Sequence, residues 1–272
     1  MAITKNFTPF KKPVQFVYAG EKHLEVWNLA KGKYKSTTII ENASLFNMGA
    51  EDFSRLKSGL TGGNVNVGLV LNSGNFIFNI FEFEKIPLLD ERRRDLIEWR
   101  LQKVFPEKID LYDHQFYTIS KSKVLSVLFK RELLDNIEKR FKDNGLELIF
   151  IGNSTIQIMN HLWGSKLPIA RNVAPDFLLE LDGTLTTIVF QYKSVPYYLR
   201  KFRCDKDSDL VAEVDRTLNF VKTTYSRQPS SFSIVSNRPK PELELFKNKM
   251  MEVEIRDVSG KTQKPIFLPG IR

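Results

Sequence analysis

The 272-residue chain holds a single cysteine, Cys204. An intrachain disulfide is therefore excluded, and so is a metal centre built on paired thiolates. Long apolar runs are missing too. The longest, such as LELIFIG at 146–152, fall far short of the ~20 residues that span a bilayer. The opening stretch MAITKNFTPFKKP has no apolar segment after its charges, so it is not a secretory signal. There is no G-x-x-x-x-G-K-[ST] loop and no G-x-S-x-G turn, which removes a Walker-type nucleotide site and a hydrolase elbow. His23, His114 and His161 share no metal-ligand spacing. Long basic runs are also absent. The tightest clusters are Lys11-Lys12, Arg92-Arg93-Arg94, and Arg200-Lys201 with Arg203.

What is present supports a folded protein. Hydrophobic residues make up 42% of the chain, enough for a sizeable core in one large domain or two small ones. The formal net charge is +9, which points to an anionic partner surface. Because the cations are scattered, no specific nucleic-acid partner is expected. The expected location is cytoplasmic, at a membrane through a partner.

Residues 1–12 read as a loose basic arm. Alternating and β-branched runs predict strands at 14–20, 23–30 and 33–41, then a short helix at 51–60. Strands at 64–72 and 75–84 flank Ser73-Gly74, a hairpin signal. A helix is predicted over 88–105, with Leu88, Leu89, Leu96, Trp99, Leu101, Val104 and Phe105 as its apolar set. Strands at 112–119 and 123–130, an amphipathic helix at 131–145, a strand at 146–152 and a helix at 154–162 follow. After a linker at 164–175 come strands at 176–182, 185–192 and 195–203, a helix at 208–225, a strand at 230–237, a helix at 241–249 and a strand at 250–258. Three strands, a helix and a further strand recur in both halves, which suggests two related α/β lobes facing each other across a cleft. In strand 75–84, Phe76 and Phe78 fall on one face, and Phe81 and Phe83 on the other. Such a strand is buried on both sides or meets a partner, and core packing is the expected account.

The unit FNIFEFEKIPLLDERRRDLIEWRLQKVFP, with Pro87, Leu89, Ile97, Trp99 and Phe105-Pro106, resembles the signature of the actin-like pilus assembly protein PilM. VLSVLFKRELLDNIEKRFKDNGLELIFIGNSTIQIMNHL is similar to the strand–helix–strand that follows in that family, and SDLVAEVDRTLNFVKTTY to the helix before the last sheet of its second lobe. The related cytoplasmic domain of the secretion protein GspL is also compatible. The resemblance implies an α/β, actin-like (ribonuclease H-like) two-lobe fold. It divides the chain into the arm 1–12, a first lobe at 13–165 with an inserted subdomain at about 107–150, and a reduced second lobe at 166–272. It also implies a cytoplasmic scaffold for type IV pilus or type II secretion machinery. The scaffold would dock the N-terminal cytoplasmic peptide of a PilN-like bitopic inner-membrane protein, with a motor ATPase or platform protein as further partners. On this chain the docking groove would be framed by helix 88–105 and strands 112–130, with Arg92, Arg93, Arg94, Trp99, Arg100, Val127 and Phe129 as contacts; the four arginines are candidates for meeting either a partner or anionic lipid.

Proteins of this kind hold MgATP with two glycine hairpins and a glycine turn, whose amides meet the phosphates while a strand-end carboxylate orders the metal's waters. Matching the family's D-x-G-S-S-S, this chain has Tyr18-Ala19-Gly20-Glu21-Lys22-His23. Gly20 is kept and the carboxylate is not. Glu21 would face the phosphates and repel them, with Lys22 as the compensating charge. Matching D-x-G-A-x-x-T-T, it has Glu180-Leu181-Asp182-Gly183-Thr184-Leu185-Thr186-Thr187. The third turn reads Ser236-Asn237-Arg238-Pro239 in place of a glycine pair. A closing subdomain is reduced to Cys204-Asp205-Lys206-Asp207. Gly20, Lys22, Glu180, Asp182, Gly183 and Thr184 are thus expected as remnants of nucleotide loops, with no cofactor bound. The alternative is an active ATPase or small-molecule kinase binding ATP and Mg in the cleft. Asp113-His114 is a candidate acid–base pair.

Overall fold

The computed structural model describes residues 15–30, 33–61, 66–105, 109–163, 176–192, 195–227, 229, 231–236 and 254–257. The basic arm, the linker 164–175, the third turn beyond Ser236 and the helix expected at 241–249 lie outside them.

The first sheet is built from β1 (Gln15–Ala19), β2 (His23–Ala30), β3 (Lys33–Glu41), β4 (Asn66–Leu71) and β8 (Glu147–Asn153), in the order β3-β2-β1-β4-β8. β1 to β3 form an antiparallel meander, and β4 and β8 add parallel strands. α1 (Ala50–Gly59), α3 (Arg131–Asp143) and α4 (Ser154–Trp163) supply Phe53, Leu56, Leu134, Ile137, Phe141, Ile156 and Met159 to its core. The second sheet comprises β9 (Asp176–Asp182), β10 (Leu185–Tyr192), β11 (Val195–Arg203), β12 (Ser231–Ser236) and β13 (Glu254–Asp257). Its order is β11-β10-β9-β12-β13, with the same pattern of antiparallel and parallel pairs. The repeat legible in the sequence is thus a repeat of topology. α5 (Asp207–Tyr225) covers one face of this sheet through Leu210, Val211, Val214 and Val221. The other face, with Leu178, Val189 and Val235, joins the core of the first lobe.

A third sheet stands apart: β5 (Phe76–Glu82), β7 (Lys123–Lys130) and β6 (Tyr112–Thr118), in that order and antiparallel. α2 (Asp90–Val104) lies on it. This arrangement corrects two expectations. β4 and β5 are not a hairpin, because they belong to different sheets. Asn72 Oδ1 accepts from the Gly74 amide at 3.0 Å, and the short helical turn Ser73–Asn75 redirects the chain between sheets. The three-stranded sheet also takes in β5, upstream of position 107, whereas β8 from Glu147 onward pairs with β4 of the first sheet. Period-2 alternation explains how β5 serves two cores. Phe76 and Phe78 pack into the first-lobe core, and Phe81 and Phe83 into the core under α2.

Candidate functional site

β9 is two strands in one. Phe177, Leu179 and Leu181 point into the core beneath α5. The alternate residues Leu178, Glu180 and Asp182 face the first lobe, and both acids are buried. The tight turn to β10 runs through Gly183 at φ +58°, a conformation that glycine adopts without strain. Opposite it stands the turn between β1 and β2, closed by the Gly20 amide donating to His23 O at 2.9 Å. A Cβ on Gly20 would lie 2.9 Å from Asp182 Oδ1 and would also run into the His23 ring, so a larger residue here would push both side chains out of place.

The hairpins then bond to each other. The Glu21 amide donates to Asp182 Oδ2 at 2.8 Å, and Asn72 Nδ2 donates to the same oxygen at 2.8 Å. In return the Glu21 carboxylate receives the Thr184 amide, the Leu185 amide at 3.3 Å, and the Thr184 hydroxyl at 2.9 and 3.0 Å from its two oxygens. Arg203 forms an ion pair with Glu21 and donates to Thr184 Oγ1 at 3.2 Å. Two successive amides converging on one carboxylate make an anion nest whose anion belongs to the chain itself.

Deeper in, Glu180 joins the lobes a second time. Its two oxygens accept from the hydroxyls of Ser154 and Thr155, at the start of α4. Burial pushes its carboxyl up to about 7; the two hydroxyls work against that rise, and the charge of Asp182 adds to it. Ser73 and Thr187 share a hydroxyl–hydroxyl bond across the same seam. Lys201 Nζ donates to Ser73 O at 2.9 Å, to Gly74 O at 3.3 Å and to Phe76 O. Burial lowers its pKa to about 8.

Of the residues expected as nucleotide-loop remnants, Gly20, Glu180, Asp182, Gly183 and Thr184 converge at this seam. Lys22 does not: it is exposed, and the cation that meets Glu21 is Arg203. Tyr18, standing where a carboxylate was sought, is buried with Phe16 and Val70. β11 ends at Arg203 and α5 begins at Asp207, so three residues make the link, and the Cys204 amide donates to Thr184 O at 2.9 Å.

The expected partner contacts separate. Arg92, Arg94, Trp99 and Arg100 are exposed on α2. Arg93 turns back to Pro87 O at 3.2 Å, Leu88 O at 2.9 Å and Asp90 at 3.1 Å. Val127 and Phe129 are core residues with no access to a partner, because the first-lobe core covers the face of β7 that carries them. Asp113 and His114 are engaged separately, with Arg131 at 3.4 Å and Glu98 at 3.1 Å. Sequence reasoning missed Asn72, Ser154, Thr155, Lys201 and the role of Arg203. Only Asn72 carried a local signal, the Asn-Ser-Gly turn.

No family model matches the chain, and no curated protein does. Solved structures do. The PilM–PilN type IV pilus biogenesis complex superposes with a TM-score of 0.73 at 11% identity, over 91% of this chain and 88% of the other. A Bacteroides thetaiotaomicron protein with an actin-like ATPase fold and unknown function gives 0.57 at 10% identity, over 94% and 96%. The chain has an actin-like fold. The cytoplasmic domain of EpsL, an inner-membrane component of the Vibrio cholerae type II secretion system, gives 0.56 at 10% identity, over 83% and 84%. Within an actin-like frame, the turns at Gly20 and Gly183 are the equivalent hairpins of the two lobes, since each joins the first two strands of its sheet.

Proposed function

We propose that the chain is a non-catalytic actin-like scaffold in envelope machinery of the type IV pilus or type II secretion kind, its cleft held by its own side chains in place of MgATP. The observation that supports this reading is the Glu21 carboxylate seated on the Thr184 and Leu185 amides. A phosphate oxygen would need those same donors and would meet Glu21 as a like charge. Asp182, at the end of β9, is engaged by the Glu21 amide and Asn72. The residues present therefore do not suit a nucleotide phosphate or its metal. The likeness to PilM and EpsL supports the setting: a cytoplasmic protein, peripheral to the inner membrane. In the PilM–PilN structure PilM is found with PilN, and the corresponding partner here is a bitopic protein that presents a short N-terminal cytoplasmic peptide.

Two measurements test the two halves. Millimolar MgATP is expected to leave the melting temperature unchanged. Binding at a thousandfold excess over Kd would instead add about 4 kcal/mol, and a clear rise would overturn the closed-cleft reading. Where a bitopic protein is encoded beside this chain, a synthetic peptide copying its cytoplasmic start is expected to bind the full chain in calorimetry. No heat and no complex would overturn the docking role while leaving the cleft reading intact.

A further inference from the structure

α2 turns only Ile97 and Leu101 fully inward. One of its flanks is tied to β6. Glu98 meets His114 at 3.1 Å, and the Arg94 guanidinium lies 6.0 Å over the Phe116 ring. At ~100° per residue, Glu91 and Asp95 fall toward that flank. The opposite flank carries Arg92, Leu96, Trp99, Arg100 and Lys103, and no acid. Lys103 Nζ stands 3.8 Å from the Trp99 ring centroid, and the indole is half exposed. The chain enters this helix through Leu88 and Leu89, which are 92% and 62% exposed. Strongly exposed large apolar side chains number seven among the described residues, and four of them (Leu88, Leu89, Trp99 and Val104) lie within 88–104. The apolar exposure is concentrated where the cations are.

We propose that this flank of α2 rests directly on an anionic phospholipid surface. The outer flank of a helix is convex, and a plane of headgroups meets such a stripe along its length. Leucine and tryptophan tips enter the headgroup boundary, and the Arg92, Arg100 and Lys103 charges meet lipid phosphates. The formal net charge of +9 adds longer-range attraction to the same surface. Among the described residues no helix is long and apolar enough to cross a membrane, so the contact is peripheral. It is also separate from the Glu21–Asp182 seam between the lobes.

The test uses the full chain with vesicles of phosphatidylcholine, alone or mixed with phosphatidylglycerol. Co-sedimentation is expected only with the mixed vesicles, accompanied by a blue shift of tryptophan emission that Trp99→Phe diminishes. With ~1 kcal/mol per cation near the surface, R92Q/R100Q/K103Q is expected to cut the partition coefficient about a hundredfold, while R92K/R100K keeps it. These side chains are exposed, so the melting temperature should not move. The proposal is overturned if the triple variant binds as well as the parent or if the parent ignores anionic vesicles. It is overturned equally if an acidic peptide such as polyglutamate binds through these residues while vesicles do not, which would make the stripe a protein dock.

Discussion

Glu21→Ala is the most direct test of how the cleft is held. The parent side chain is 12% exposed and collects two backbone amides, a hydroxyl and a guanidinium. Truncation strands the Thr184 and Leu185 amides. The Thr184 hydroxyl and Arg203 can turn to water, Arg203 being 61% exposed. Hydrogen bonds to a charged group contribute roughly 1.5–3 kcal/mol each. Counting only the two amides, at the low end because water can enter the gap, the loss is about 3 kcal/mol. At ~2–4 °C per kcal/mol for a chain of this size, the melting temperature falls by roughly 6–12 °C. Urea titration and scanning fluorimetry read the two quantities independently. A second arm adds acetate or inorganic phosphate. A free anion can refill the vacated nest in Glu21→Ala, so the variant recovers part of its melting temperature while the parent does not respond. If Glu21→Ala folds and melts within ~0.5 kcal/mol of the parent, the carboxylate is not a stabilising latch and the reasoning fails.

Other perturbations separate the seam from the core. Glu180, with a folded value near 7 against an ordinary 4.5, makes the folded state bind the extra proton. Its contribution is therefore full below the ordinary value and is lost as pH rises from about 4.5 to 7, by roughly 3 kcal/mol. Glu180→Gln is expected to flatten this slope, and denaturant melts of both proteins at pH 5 and pH 8 check it; parallel pH profiles would contradict the buried-carboxylate account. Phe129, fully buried with its ring 4.7 Å from that of Phe76, should lose about 3–5 kcal/mol as Phe129→Ala. Trp99→Ala, on the exposed stripe, should stay within ~1 kcal/mol. Equal losses in the two variants would mean that the assignment of β7 and α2 to core and surface is wrong.

The elements were legible because their patterns are local. The alternation along 76–83 assigned Phe76, Phe78, Phe81 and Phe83 to two faces, and both faces are covered. The same local view misled at Asn72-Ser73-Gly74. A tight turn states that the chain reverses or bends, not which sheet receives the next strand. Val127 and Phe129 failed for a related reason: alternation shows that a strand has two faces, but not that packing closes both. At the cleft, Gly20 and Gly183 stood out through the resemblance to the family's glycine hairpins, and Gly183 alone takes the left-handed backbone that favours glycine. Glu21 was read as a charge hostile to phosphate, which physics supports. Its actual acceptor role depends on amides more than 160 positions away, and no spacing rule reaches that far.

The reciprocal bonding of the two turns has a mechanical side. Each turn both donates to and accepts from the other, through Asp182 in one direction and Glu21 in the other. Beside them, Lys201 clamps the start of β5 to β11. A tug on the three-stranded sheet is thus delivered to the second lobe through short, partly charged links loaded in parallel. A hinge would spend that displacement on its own bending. Links of this kind, set side by side, make the seam a tie between the lobes and not a free hinge.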